Sequence, residues 1–220
     1  MSMKKVFAPG CALLIHNPEL ADRIAAYLKD RHNVDERHTM CCHFRPDFSE
    51  PVQIISICSG CIRRYDSLYK DVSAVSLWEL ADKDPHFPFP DYGGMRLSVI
   101  DACPTRNYID LHGTIRSLLS KMNIQINEAE RTGTGAKCCG DSFYGRMEKS
   151  AVLEKMRERA EEMPEKNVAV YCVSCIKSVT NGGKSPKYLP DLLFSTETFS
   201  GECDPDLWHG ELNKFIRNSR

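Results

Sequence analysis

The chain has 220 residues, of which 42% are hydrophobic, and its 29 Lys+Arg against 30 Asp+Glu give a formal net charge of -1. That is enough for one large domain or two small ones around a packed core, and the charge is too balanced for a surface that grips a nucleic-acid backbone. The longest apolar runs fall far short of a membrane span, and Pro9 and Gly10 interrupt the start before any signal-like stretch, so the sequence reads as cytoplasmic, with no membrane span and no nucleic-acid partner.

In chain order, Asn17 before Pro18 predicts a capped helix whose Leu20, Ile24 and Leu28 share one face. Residues 52–57 have the length and β-branched content of a buried strand. A Pro-rich stretch at 84–94 marks a linker near residue 90. Residues 97–100 form the next strand, and Asn107 is expected to open a helix with the inward stripe Leu111, Ile115, Leu118, Leu119 and Met122. A third helix is expected over 144–163, with Met147, Val152, Met156 and Ala160 inward, Glu154, Arg157, Glu158 and Glu161 outward, and Pro164 as its stop. Residues 168–171 read as a strand, and the tail from Gly201 as a loop and a helix over about 205–217. Strands alternating with helices predict an α/β fold of two pseudo-repeated, Rossmann-like halves with mainly parallel sheets. Ligand sites in such sheets lie at the carboxyl ends of strands, where Cys11, Cys58, Cys103 and Cys172 fall. The expected division is 1–90, 91–200 and a tail at 201–220.

Eleven cysteines are more than a protein of this size needs as staples, and in a reducing compartment they signal metal or redox chemistry. They form two sets with one internal order: Cys11, Cys41–Cys42 and Cys58-x-x-Cys61, then Cys103, Cys138–Cys139 and Cys172-x-x-Cys175. The flanking segments align as well, residues 6–11 with the run up to Cys103 and residues 54–62 with 168–176, while Trp78 and Leu192 each follow the last cysteine by 17 positions. This is an internal duplication. Five thiolates exceed the four of a structural zinc, and neighbouring cysteines diverge too much to serve one small ion, so a polynuclear iron–sulfur centre fits better.

The order Cys, Cys-Cys-Gly, Cys-x-x-Cys resembles the cysteine-rich CCG domain that occurs in tandem in the disulfide-cleaving subunit of heterodisulfide reductase, and in iron–sulfur subunits of glycolate and lactate oxidation systems. The second set fits closely, with 34 residues between Cys103 and Cys138, Gly140 completing the doublet motif, and 32 residues before Cys172. The resemblance implies a non-cubane [4Fe-4S] cluster on Cys103, Cys138, Cys139, Cys172 and Cys175, and a second on Cys11, Cys41, Cys42, Cys58 and Cys61. In the heterodisulfide reductase the clusters face a shared cavity and split a disulfide. It further implies a small disulfide substrate, a ferredoxin-like iron–sulfur subunit and a flavoprotein as electron donors. The first set departs from the motif: only 15 residues separate Cys42 from Cys58, and His43 stands where the motif has glycine, which leaves zinc, another cluster type or an empty site as the alternatives to a full cluster in that half.

Other readings are an electron relay of a hydroxy-acid oxidoreductase complex and a zinc-stabilised interaction module. Cys58-x-x-Cys61 alone matches a thioredoxin-like dithiol. Gly133-Thr134-Gly135 lacks the residues of a nucleotide loop and reads as a turn. His43, beside a doublet, is the one histidine with a case as a ligand, and Arg63, Arg64, Arg106, Arg146 and Lys177 follow cysteine motifs and suit either an anionic substrate or solvent. Cys203 belongs to neither set and is given no role.

Overall fold

A computed structural model describes residues 3–39, 42–44 and 48–219. The chain divides into two compact units, Met1–Leu80 with Gly210–Arg220, and Ala81–His209. The Pro-rich stretch therefore lies inside the second unit, and the unit boundary runs through the last helix.

In unit 1 the described elements are β1 (Lys4–Ala8), α1 (Cys11–His16), α2 (Pro18–His32), β2 (Glu36–Arg37), β3 (Val52–Ser56), α3 (Ser59–Leu68), β4 (Val72–Ser76) and α4 (Leu77–Lys83), whose last residues belong to unit 2. The strands form one parallel sheet in the order β2-β1-β3-β4. As expected, Asn17 caps α2, its Oδ1 accepting from the Leu20 N–H at 3.0 Å, with Pro18 in the first turn. Leu20, Ile24 and Leu28 are fully buried, each stabilising the unit by about 1.5–3 kcal/mol.

Unit 2 repeats the plan with β5 (Met95–Ile100), α5 (Ile109–Lys121), β6 (Ile124–Ile126), α6 (Lys149–Glu161), β7 (Asn167–Val170), α7 (Val173–Asn181), β8 (Ser185–Tyr188) and α8 (Leu189–Leu193), and α9 (Pro205–Asn218) follows. Its sheet is again parallel, in the order β6-β5-β7-β8. The α/β architecture with two parallel, helix-flanked sheets is thus as the sequence predicts. The registers also coincide. Ala8 pairs with Ser56 in unit 1, and Ile100 with Val170 in unit 2, the same positions that the cysteine alignment superimposes.

Three details differ from expectation. Helix α5 begins at Ile109 with Tyr108 before it, so Asn107 is not its cap, although the whole predicted stripe is buried. Helix α6 begins at Lys149, because residues 141–147 are spent on a 3-10 turn and a short bridge; Met147 is consequently exposed while Val152, Met156 and Ala160 pack inward. Sheet register sets Ser76 against Ser56 and Tyr188 against Val170, which makes Leu77 the counterpart of Leu189 and Trp78 that of Pro190. The shared 17-residue spacing of Trp78 and Leu192 is therefore no structural equivalence, since the connection into β4 is two residues longer. Among the described residues no helix is long and apolar enough to cross a membrane.

Candidate metal centre

In a parallel sheet of order 2-1-3-4 the connections leave the two central strands in opposite directions, opening a crevice at their carboxyl ends. The strand-end cysteines of both sets lie there. Cys11 opens α1 after β1, Cys58 precedes α3 with Cys61 in its first turn, Cys103 opens a 3-10 turn after β5, and Cys172 precedes α7 with Cys175 in its first turn. Cys58 and Cys61, and likewise Cys172 and Cys175, therefore sit at the N-terminal ends of α3 and α7, the end of a helix that favours thiolates or an anionic centre.

In unit 2 the five sulfurs make a continuous chain of neighbours: Cys103 beside Cys138, Cys138 beside Cys139, Cys139 beside Cys175, and Cys175 beside Cys172. Cys139 and Cys175 are buried, whereas Cys103, Cys138 and Cys172 are partly exposed. Cys138 is held well below the usual thiol range by hydrogen bonds from the Cys103 and Cys139 thiols, with further help from the Ser142 hydroxyl at 2.9 Å and the Gly140 N–H at 3.4 Å. Cys103 is pushed up by Cys138 and by burial. One proton is thus readily lost from this pair, and the others leave only when something compensates the crowding of negative charge. Beside Cys103 and Cys138 opens a cavity of about 520 Å³, lined also by Arg106, Lys137, Ser142, Phe143, Lys155, Glu158, Arg159 and Glu162.

The doublet turns at Gly140, whose φ of +110° favours glycine. A Cβ there would lie 2.7 Å from Met156 Cγ and 2.8 Å from the Met156 backbone N, so α6 packs directly on the doublet. Gly182 makes the second close approach, since its Cβ would meet that of Ala160 at 2.2 Å, and this seats α7 on α6.

In unit 1 Cys61 neighbours Cys42 and Cys58, and its thiol is pushed up by them and by burial. Gly10 (φ +81°) lies against both members of the Cys58-x-x-Cys61 pair, and Cys11 packs on the cluster that holds Cys42, Cys58 and Cys61. Four predicted ligands are therefore gathered; Cys41 lies outside the described residues. No helix corresponding to α6 is found among the described residues of 38–51. Instead Tyr69, just past α3, donates its hydroxyl towards the Cys42 carbonyl at 2.9 Å and the Phe44 carbonyl at 3.2 Å, and Arg64 Nε reaches the Cys42 carbonyl at 3.4 Å. His43 is exposed.

None of the described cysteines is in a disulfide. Among the described residues no three His, Cys, Asp or Glu side chains are arranged to hold a single metal ion; in unit 2 the five sulfurs are linked pairwise, and Cys103 also lies near enough to Cys139 and Cys172 to feel their charge. The donor set of five neighbouring thiols, two buried and three partly exposed, fits a group large enough to touch several sulfurs at once. Of the basic residues, Arg106 lines the cavity and donates to the Ala136 carbonyl at 2.8 Å, while Lys177 is buried with Nζ 2.6 Å from the Ser200 carbonyl and over the Trp208 ring. Arg63 and Arg146 are exposed. Cys203 stands apart, its thiol facing the Ser200 and Gly201 carbonyls.

Sequence reasoning misses a buried polar group beneath the second set. Asp101, 1% exposed, accepts from Arg116 Nη1 and Nη2 at 2.6 and 2.8 Å, from Thr132 Oγ1 at 2.9 Å, from the Gly133 N–H at 2.7 Å and from the Tyr171 hydroxyl at 3.1 Å. Burial would raise its pKa, but Arg116 and the other donors hold it below the usual carboxylate range. The Gly133-Thr134-Gly135 segment is a 3-10 turn whose first N–H serves this carboxylate. An aspartate ending an otherwise apolar strand is the signal that could have found it. No protein-family model matches the chain, and no curated protein matches it.

Proposed function

We propose that this chain is an iron–sulfur redox protein that resembles the disulfide-cleaving subunit of heterodisulfide reductase and converts a small disulfide into two thiols. The observation that carries the reading is the gathering of five neighbouring sulfurs at the switch point of unit 2, with two of them opening onto a cavity large enough for a small molecule. Cys103, Cys138, Cys139, Cys172 and Cys175 would hold a non-cubane [4Fe-4S] cluster, and Cys11, Cys41, Cys42, Cys58 and Cys61 a second. Bound there, such a cluster supplies electrons one at a time and an iron with affinity for sulfur.

The chain's own residues prepare the rest. The N-termini of α3 and α7 offset the negative charge of thiolate ligands, and α6 packs on Gly140 beside the buried Cys139 while Cys138 stays open to the cavity. Arg106, Lys137 and Lys155 give the cavity a basic lining that suits an anionic disulfide; Lys137 and Lys155 are already paired with Glu162 and Glu158. In the net reaction the disulfide takes up two electrons and two protons and leaves as two thiols. The electrons come from a ferredoxin-like partner and, behind it, a flavoprotein, in the reducing cytoplasm.

The test is the iron, sulfide and zinc content of anaerobically purified protein, followed by disulfide-dependent oxidation of a reduced viologen. About eight irons with sulfide and turnover are the expected result. About four irons without turnover would replace the disulfide reaction with an electron relay, as in hydroxy-acid oxidation systems. Zinc alone, with unfolding by chelator, would overturn the redox reading in favour of an interaction module.

A further inference from the structure

The central register of unit 2 places Asp101 opposite Tyr171, one residue beyond the Ile100–Val170 pair. Tyr171 precedes Cys172 and Asp101 lies two residues before Cys103. The Tyr171 phenol, 1% exposed, donates to Asp101 and accepts from the Ala102 N–H at 3.0 Å, while Thr105 Oγ1 lies 3.0 Å from it and donates to the Ala102 carbonyl at 2.7 Å. The same carboxylate takes the Thr132 hydroxyl and the Gly133 N–H, at the start of the loop that runs into Cys138. One buried carboxylate therefore joins the three separate stretches of chain that deliver the cysteines. In unit 1 the corresponding positions are Pro9 and Ile57, which cannot make these bonds.

We infer that Asp101 and Tyr171 are positioning residues that set the spacing of Cys103, Cys172 and the Cys138–Cys139 loop for their cofactor, an assignment that rests on the proposed cluster for its purpose but not for its geometry. The physical ground is that a ligand sulfur on a turn is only as well placed as the bonds that fix the turn, and partners behind the ligands typically govern affinity about 10- to 100-fold. Burial makes these bonds hard to exchange for water, and the pairing with Arg116 keeps the carboxylate charged without leaving an isolated buried charge.

The experiment compares Tyr171→Phe and Asp101→Asn with Tyr92→Phe, which removes a hydroxyl bonded to the Leu192 carbonyl elsewhere in unit 2. In the metal-free, reduced full chain, mass spectrometry follows the alkylation rates of Cys103 and Cys172. In the chain reconstituted with iron and sulfide, chelator-induced iron loss and the electron paramagnetic resonance line shape are recorded. The expected result is altered alkylation of both cysteines in Tyr171→Phe and Asp101→Asn, about 10-fold faster iron loss and a changed line shape, with Tyr92→Phe like the parent. If all three variants lower thermal stability alike and leave sulfur reactivity unchanged, the residues only stabilise the fold and the inference falls. If the parent takes up no iron, the cluster reading fails, and the alkylation rates still decide the positioning role. Should Asp101→Asn not fold, Tyr171→Phe, which loses one oxygen, decides alone.

Discussion

The two units secure the same kind of doublet by opposite means. In unit 2 the segment between β6 and β7, residues 127–166, is long enough to include α6, and the doublet turns beneath that helix at a glycine with no room for a Cβ. In unit 1 residues 38–51 join β2 to β3, and the described part of the doublet is tied by its carbonyls to Tyr69 and Arg64 from the α3 side. The glycine of the Cys-Cys-Gly motif is thus a packing requirement of the helix above it. In unit 1, where no such helix is found among the described residues, exposed His43 takes its place; left-handed backbone among the described non-glycine residues is confined to Asn33, Asn123 and Ser195. The motif difference between the halves follows from the length of one connection.

A second contrast lies beneath the cysteines. Unit 2 has the carboxylate of Asp101 and its five donated hydrogen bonds; unit 1 has proline and isoleucine at the matching positions. Removing Arg116 breaks this arrangement most severely, because it strands a buried carboxylate. Arg116→Met is expected to cost unit 2 about 3–5 kcal/mol, seen as accelerated hydrogen exchange in β5 and β7 with β1 and β3 unchanged. Equal acceleration in both units would mean that they do not act independently in this respect.

Gly140→Ala comes next. A Cβ within 3 Å of Met156 on a left-handed backbone is expected to cost about 2–4 kcal/mol, whereas His43→Gly should change stability by about 0.5 kcal/mol or less. Thermal melts of the two variants check the comparison directly; a tolerated alanine at 140 would show that α6 does not close on the doublet. Tyr69→Phe should cost about 1 kcal/mol and speed the alkylation of Cys42 without affecting Cys139.

The smallest effect is one of pH. Asp191 in α8 is buried, and burial raises its pKa against the opposing hydrogen bonds of Thr196 and Thr198. A raised carboxyl binds its proton more tightly folded than unfolded, so its contribution to stability is full below the ordinary carboxylate range and is lost as pH rises through the raised value. Asp191→Asn should flatten that decline in a series of melts across pH. A steeper decline in the variant would show the opposite, a carboxylate that its donors favour over the neutral acid.

Much of the fold is legible because local chemistry expresses it. Asn17 and Pro18 announce a helix start whose bonds are made within four residues, and the apolar runs that end at Cys58, Cys103 and Cys172 are central strands because only strands buried on both faces can be so continuously apolar. The edge strands β2 and β6 leave no mark in the sequence, since two or three residues carry no period. The start of α6 is hidden too, because residues 141–147 satisfy their backbone in a 3-10 turn that the apolar spacing does not report.

The site divides along the same line. Repetition of the cysteine order, and the α/β grammar around it, places the strand-end cysteines from sequence alone, since a strand and the turn that follows it are neighbours in the chain. The line of contact from Cys103 through Cys138, Cys139 and Cys175 to Cys172, the closeness of Gly140 to Met156, and the gathering of Asp101, Arg116, Thr132 and Tyr171 belong to the tertiary structure. The partners of Asp101 lie 15 to 70 residues from it in sequence, and only the parallel pairing of β5 with β7, which sets Ile100 beside Val170, brings a carboxylate and a phenol within one hydrogen bond of each other.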